Sequence, residues 1–266
     1  MAIHVMSRVE KKYKINTHTY LQIQKAIESY TTLDAYNEKA DFYTVSNIYY
    51  DTPDNDLIRL SLSKPEYKEK IRLRTYGVPN ENDKVYLEIK KKYHKMVNKR
   101  RASFSLQDAY AFMQTKTPPE NMQQTQIVNE LAFALDRYNP VPKVYLAYDR
   151  RAYFGKDGLR ITFDTNIRTR RHDLLLELGD YGIPLLDSDT WLMEVKVESA
   201  FPLWLTRLLA QHNVFPNSFS KYGTEYKQFL TKGRENQCLT PSLQPYQIQA
   251  HLPLLGREPA LRLAQL

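Results

Sequence analysis

The stretch KEKIRLRTYG, residues 68–77, decides the fold. Arg72 and Arg74 are separated by one leucine, so a β-strand sends both guanidinium groups to one face and Leu73 to the other. Two neighbouring cations on a sheet face repel each other and cost stability unless an anion lies between them. The same period of two recurs along the chain. In KVYLEIK (84–90), Val85, Leu87 and Ile89 oppose Tyr86, Glu88 and Lys90. In GLRITFD (158–164), Ile161 and Phe163 oppose Arg160, Thr162 and Asp164, and in LMEVKVE (192–198), Met193, Val195 and Val197 oppose Glu194, Lys196 and Glu198. YLAYDR (145–150) is mixed on both faces.

A half-exposed antiparallel sheet accounts for such alternation on periodicity alone. The polar positions, however, are long cations and carboxylates rather than the Ser, Thr and Gln of an ordinary wet face, and they recur as pairs. A sheet closed into a barrel, with helices over its apolar outer face, turns those pairs inward. An interior carrying both signs is a wet channel, not a dry core. A mainly basic channel with a few carboxylates suits a polyphosphate chain and divalent metal. Arginine forks bind phosphate oxygens in pairs and lysine acts as a point charge, while carboxylates hold Mg²⁺ or Mn²⁺.

Strand patterns at residues 7–15, 42–51, 68–76, 84–91, 96–106, 143–155, 158–166 and 190–198 predict eight strands. Helical patterns cover 17–30, with Asn16-Thr17 as a cap and Leu21, Ile27 and Tyr30 as the apolar stripe, and then 120–138, 202–213 and 219–231. The expected class is α+β: an eight-stranded antiparallel β-barrel with helices packed outside. One domain over 1–233 and a Pro-rich tail over 234–266, to which no chemistry is assigned, make up the chain.

The 266 residues carry 38 Lys and Arg against 30 Asp and Glu, a net charge of +8 that favours a polyanionic partner. The 20 tyrosines favour strands and groove walls over a Leu-rich bundle. The single cysteine, Cys238, excludes an internal disulfide framework and fits a reducing compartment. With neither a signal-peptide run at the N-terminus nor a long apolar segment, the expectation is a cytoplasmic protein without a membrane segment. There is no P-loop, no zinc spacing, and no nucleophile–His arrangement among the scattered histidines. Trp191 and Trp204 are expected in packing. The cations alternate with apolar residues instead of forming an open stripe with stacking aromatics, which speaks against nucleic acid.

SRVEKKY (7–13), NIYYDT (47–52), KIRLRTYG (70–77), VYLEIKKK (85–92), NKRRASF (98–104), YLAYDRRAY (145–153), LRITFDT (159–165), LMEVKVE (192–198) and FSKYGTEY (219–226) come in an order and spacing that resembles the triphosphate tunnel metalloenzyme superfamily. The resemblance is strongest to its VTC (vacuolar transporter chaperone) branch, the polyphosphate polymerase domain. It implies an eight-stranded tunnel that binds ATP and inorganic polyphosphate or triphosphate, and a divalent metal, Mn²⁺ or Mg²⁺. It implies phosphate contacts from Arg72, Arg74, Lys90, Arg150 and Arg160, and substrate contacts from Lys12, Lys99, Arg101, Tyr148, Lys196, Ser220 and Lys221. For the metal it implies Glu194 foremost, with Glu10, Glu88 and Glu198 as further candidates; Glu10, Glu88 and Glu198 serve equally well as salt-bridge partners that keep like charges apart. Hydrolase members open with Glu-x-Glu-x-Lys, whereas this chain reads Arg8-x-Glu10-x-Lys12, which agrees with the polymerase branch. Polymerase, inorganic triphosphatase and non-catalytic polyanion binder all remain open on the residues alone, as does the oligomeric state.

Overall fold

A computed structural model describes residues 9–38, 40–94, 96–119 and 125–237. Described residues up to Phe229 belong to one compact unit, and the described residues from Leu230 to Gln237 are grouped apart from it. The strands are β1 (Val9–Asn16), β2 (Thr31–Leu33), β3 (Tyr43–Asp51), β4 (Tyr67–Tyr76), β5 (Lys84–Tyr93), β6 (Met96–Ser105), β7 (Val141–Gly155), β8 (Arg160–Arg170), β9 (Ile183–Pro184) and β10 (Thr190–Val197). The helices are α1 (Thr17–Ile27), α2 (Asp56–Leu62), α3 (Leu106–Thr115), α4 (Gln126–Tyr138), α5 (Leu203–Gln211) and α6 (Lys221–Gln237). Residues 120–124, expected to open α4, and the tail beyond Gln237 lie outside the described residues.

The eight expected strands lie side by side in the order β1-β10-β8-β7-β3-β4-β5-β6, with β2 added to β7 and β9 to β8. Every pairing along that path is antiparallel. Hydrogen bonds do not close the ring, because β1 and β6 end the path without pairing. Side chains span the seam instead: Glu10 Oε2 on β1 lies 4.0 Å from Lys90 Nζ on β5. The expected barrel is therefore a curled sheet that forms a barrel-like tunnel with one seam.

The alternation in sequence sets the two faces. Ile71, Leu73, Val85, Leu87 and Ile89 point outward and pack under Phe112 of α3 and Val128, Leu131 and Leu135 of α4. On the other half, Ile161, Phe163, Met193 and Val195 pack under Ile23 and Ile27 of α1 and Leu205 and Leu209 of α5. Each such buried aliphatic or aromatic side chain stabilises the fold by about 1.5–3 kcal/mol relative to an exposed one.

Asn16 caps α1 as expected, its Oδ1 accepting from the Thr19 amide at 2.8 Å. The expected stripe of α1 is corrected, because Leu21 and Tyr30 are exposed and the buried residues are Tyr20, Ile23 and Ile27. Tyr20 faces in because it stacks on Trp191, with centroids 3.7 Å apart. Both tryptophans pack, Trp204 against the Tyr30 ring at 4.2 Å. α2 and α3 were not expected from the sequence.

The inner face is charged over only part of its length. Val45 and Tyr49 of β3, Leu146 of β7 and Leu192 of β10 make an apolar patch on which Tyr222 and Tyr226 of α6 sit. The first turns of α6 thus enter the concave side at one end. Tyr222 reaches the Asp51 carboxylate at the C-terminal end of β3, donating to Oδ2 at 3.1 Å. Among the described residues, no helix is long and apolar enough to cross a membrane.

Candidate active site: a cation-lined tunnel

Register places the predicted cations on adjoining strands. Arg72 lies opposite Tyr49 on β3 and Glu88 on β5, and Glu88 lies opposite Arg101 on β6. Arg72 Nε donates to Glu88 Oε2 at 2.7 Å and its Nη1 donates to the Tyr49 hydroxyl at 3.1 Å. Lys99 Nζ sits 2.7 Å from Glu88 Oε1, and Arg101 pairs with the same oxygen. Glu88 is 1 % exposed. Burial pushes its pKa up, but Arg72, Arg74, Lys99 and Arg101 overcome this and hold it far below the usual carboxylate range. With both oxygens engaged by cations, Glu88 adopts the salt-bridge arrangement that the sequence offered beside metal binding.

Arg74 is different. It is 6 % exposed, yet its hydrogen-bond partners are neutral: Nε donates to Asn47 Oδ1 at 2.8 Å and Nη2 to the Tyr148 hydroxyl at 3.2 Å. Lys70, two residues before Arg72 on the same face, donates to Ser220 Oγ at 2.9 Å and has no ion pair among the described residues. Burial first, and then the neighbouring Lys12, Lys90 and Lys68, lower its pKa to about 8 despite Tyr49. Arg160 pairs with Asp34 at 3.5 Å while its buried Nε has no partner.

Arg150 binds Asp164 with two parallel bonds of 2.6 and 2.8 Å, and Lys221 of α6 reaches the same carboxylate at 2.6 Å. The Lys221 ammonium also lies over the Tyr148 ring at 4.3 Å. Burial raises the Asp164 pKa, but Arg150 and Lys221 outweigh it and leave it at about 2.

A third group gathers at the seam. Lys196 pairs with Glu194 at 2.6 Å and with Glu10 at 3.9 Å, and Lys12 pairs with Glu10 at 3.3 Å and donates to the Phe219 carbonyl at 3.3 Å. Glu194 is held well below the usual range, since Lys196, Lys12 and Arg150 overcome its burial. Lys12, Asp164, Glu194, Phe219 and Lys221 line one cleft. Glu198, by contrast, is exposed past the end of β10 and packs on Gly158, where an added Cβ would lie 2.6 Å from its Cγ. It is not drawn into the cleft.

The structure thus brings Arg72, Arg74, Lys99, Arg101 and Tyr148 onto one stretch of wall, and Lys12, Lys90, Lys196, Glu10 and Glu194 around the seam. Lys221 of α6 and Ser220 just before it bridge across, and Arg150 joins through Asp164. Lys70, Asn47, Tyr49 and Asp164 belong to the same surface and were not assigned from sequence. Lys70 was legible, since it shares the period-two face of Arg72 and Arg74.

The model of the VTC domain family matches residues 7–230. The chain belongs to the VTC domain family. Vacuolar transporter chaperone complex subunit 4 of Schizosaccharomyces pombe is 26 % identical over 255 residues, a match covering 78 % of this chain and 35 % of that protein. The VTC domain chain therefore spans about a third of the length of this relative. A solved Hippeastrum protein with a dominant triphosphatase activity superposes with a TM-score of 0.50 at 13 % identity, covering 83 % of this chain and 96 % of its own. At that identity the likeness establishes the tunnel fold.

Proposed function

We propose that this VTC domain transfers the terminal phosphate of ATP onto a growing polyphosphate chain. The observation that carries the reading is an excess of cations on one wall: Arg72, Arg74, Lys99 and Arg101 share the single carboxylate of Glu88, Arg74 hydrogen-bonds only to neutral groups, and Lys70 beside them has no ion pair among the described residues. Buried positive charge in excess of its counter-charge is costly, and an anionic chain threaded past β4 supplies the charge that one carboxylate does not. The nucleophile of such a transfer, a terminal phosphate oxygen, is already ionised near neutral pH, so the tunnel needs no general base. Its residues hold the phosphates in line and neutralise their charge. Arg72, Arg74, Arg150 and Arg160 grip the triphosphate, and Lys12, Lys90, Lys99, Arg101 and Lys196 extend the basic wall.

The donor set fits a divalent ion that arrives with its substrate. Among the described residues no group of three or more His, Cys, Asp or Glu side chains could hold a metal. Glu194 and Glu10 converge on Lys196, and one or two carboxylates plus phosphate oxygens are what Mg²⁺ or Mn²⁺ takes at phosphate sites. When bound there, the ion supplies additional charge neutralisation on the phosphates. The carboxylates are poised for it, since Glu194 is ionised throughout the neutral range.

Incubation of the purified protein with ATP and Mn²⁺, with products resolved on a polyphosphate gel, tests the reading. A ladder of polymer with ADP supports it. ADP and free phosphate without polymer would replace it by tunnel phosphohydrolysis.

A further inference from the structure

The face of β4 that carries Lys70, Arg72 and Arg74 continues to Tyr76, one rung or about 7 Å beyond Arg74. Tyr76 ends β4, Tyr43 begins β3 and Tyr86 lies near the start of β5, so the antiparallel register brings all three to one mouth of the tunnel. This is the end opposite to Asp51, where α6 is anchored. Tyr36 completes the group from the short 3₁₀ turn at Ala35–Asn37. Its ring lies 5.3 Å from that of Tyr76 at 23°, and the rings of Tyr76 and Tyr86 meet edge to face at 5.8 Å.

Core packing explains only part of this cluster: Tyr43 and Tyr76 pack against the core around Val45 and Tyr148, while Tyr36 and Tyr86 do not belong to it. Tyr36 is 56 % exposed, and Tyr43, Tyr76 and Tyr86 are each half-buried. The turn beneath Tyr36 is nevertheless pinned. The Asp34 carboxylate accepts from the Tyr36 amide at 3.1 Å and pairs with Arg160. Asn37, 4 % exposed, donates to the Arg150 carbonyl at 3.1 Å and accepts from the Ala152 amide at 3.0 Å. An aromatic face held out to solvent by a rigid turn, and tied to two arginines of the tunnel, is pre-organised for a flat ligand.

We propose that the Tyr36–Tyr76 rings form a stacking platform for the nucleoside of a nucleoside triphosphate whose phosphates enter past Arg74. The inference rests on the triphosphate reading of the tunnel and adds the orientation of the nucleotide to it. The base stays at the tyrosine mouth and the phosphate tail points toward Lys70. Stacking recognises the π-face of a base rather than its edge, so the platform selects nucleotides over bare phosphate chains.

Titration calorimetry with the β,γ-imido analogue of ATP and, separately, with tripolyphosphate, both with Mg²⁺, tests it on wild-type protein, Tyr36→Ala and Tyr36→Phe. Loss of one stacking face weakens the nucleotide roughly fivefold to a hundredfold in Tyr36→Ala. Tripolyphosphate affinity stays within twofold of wild type, and Tyr36→Phe binds both ligands normally. Equal weakening of the two ligands in Tyr36→Ala, or no weakening of the nucleotide, overturns the platform while leaving the tunnel reading intact. If wild-type protein binds neither ligand, the tunnel reading itself falls and the platform with it.

Discussion

Glu88→Gln separates a counter-charge from a metal ligand. The substitution keeps the shape of the side chain and removes its charge, leaving Arg72, Lys99 and Arg101 around a neutral amide. Removing one partner of a buried pair typically costs about 3–5 kcal/mol. Here the carboxylate is almost fully buried but its partners' side chains are 19 %, 38 % and 31 % exposed, so water recovers part of their solvation. The lower end, about 3 kcal/mol, is therefore expected, and in a unit of this size it corresponds to a fall in melting temperature of about 6–12 °C. The three freed cations then gain more from an anion than they do in the wild type. Tripolyphosphate at 100 times its Kd stabilises a binding protein by about 2.7 kcal/mol, and the increment in melting temperature should be larger for Glu88→Gln than for wild type. Thermal unfolding followed by circular dichroism, with and without tripolyphosphate, reads both effects. An unchanged melting temperature together with lost Mn²⁺ binding would refute the counter-charge reasoning and return Glu88 to the metal site.

Three further outcomes follow from the same network. The lowered pKa values of Lys70 (about 8) and Lys99 (about 7, from burial and then Arg72, Arg74 and Arg101 outweighing Glu88) mean that both gain charge as pH falls. Tripolyphosphate affinity should therefore rise between pH 9 and pH 6.5, and Lys70→Met should flatten that slope; an unchanged slope refutes the role of Lys70. Asp164, whose folded pKa is depressed to about 2 from an ordinary value of 3.8, contributes stability that is complete above about pH 4 and lost as pH falls through 2. Asp164→Asn should thus lower stability at pH 7 and narrow the gap to wild type in acid melts, and a constant gap would count against the Arg150–Asp164–Lys221 linkage. Glu194→Ala should abolish metal-dependent turnover of ATP while tripolyphosphate still binds, and surviving activity with Mn²⁺ would show that Glu194 does not hold the metal.

The strands were legible because one period, two, runs through them with chemically opposite faces. Leu73 under the helices and Arg72 in the tunnel follow from that alone. α2 was not legible: Asp56–Leu62 is only seven residues long, and Asn55, which precedes it, adopts a left-handed conformation with φ of 61° and makes no side-chain cap. α3 was hidden for another reason. Ser105 is at once the last residue of β6 and the cap of the helix, so no loop marks the change of period. The α1 stripe went wrong at Leu21 because Tyr20 found a stacking partner, Trp191, that lies 171 residues away in sequence. At the site, residue types were readable but roles were not. Whether a carboxylate is free for metal or enclosed by cations depends on cross-strand register, and Glu88 meets Arg101 and Arg72 only through two separate pairings.

The unclosed seam has a bearing on solubility. Two strand edges, one on β1 and one on β6, end the sheet, and such edges are the usual route to sheet extension between molecules. On β1 the loop before α6 already covers part of the edge, with the Asn217 amide donating to the Lys12 carbonyl at 2.7 Å and the Lys14 amide to Asn217 Oδ1 at 3.1 Å. Both edges are written in cations: Lys11, Lys12 and Lys14 on one, Lys99, Arg100 and Arg101 on the other. Two copies meeting edge to edge would bring like charges into register. On the proposed function, cations placed for phosphate would at the same time disfavour growth of the sheet past its own ends.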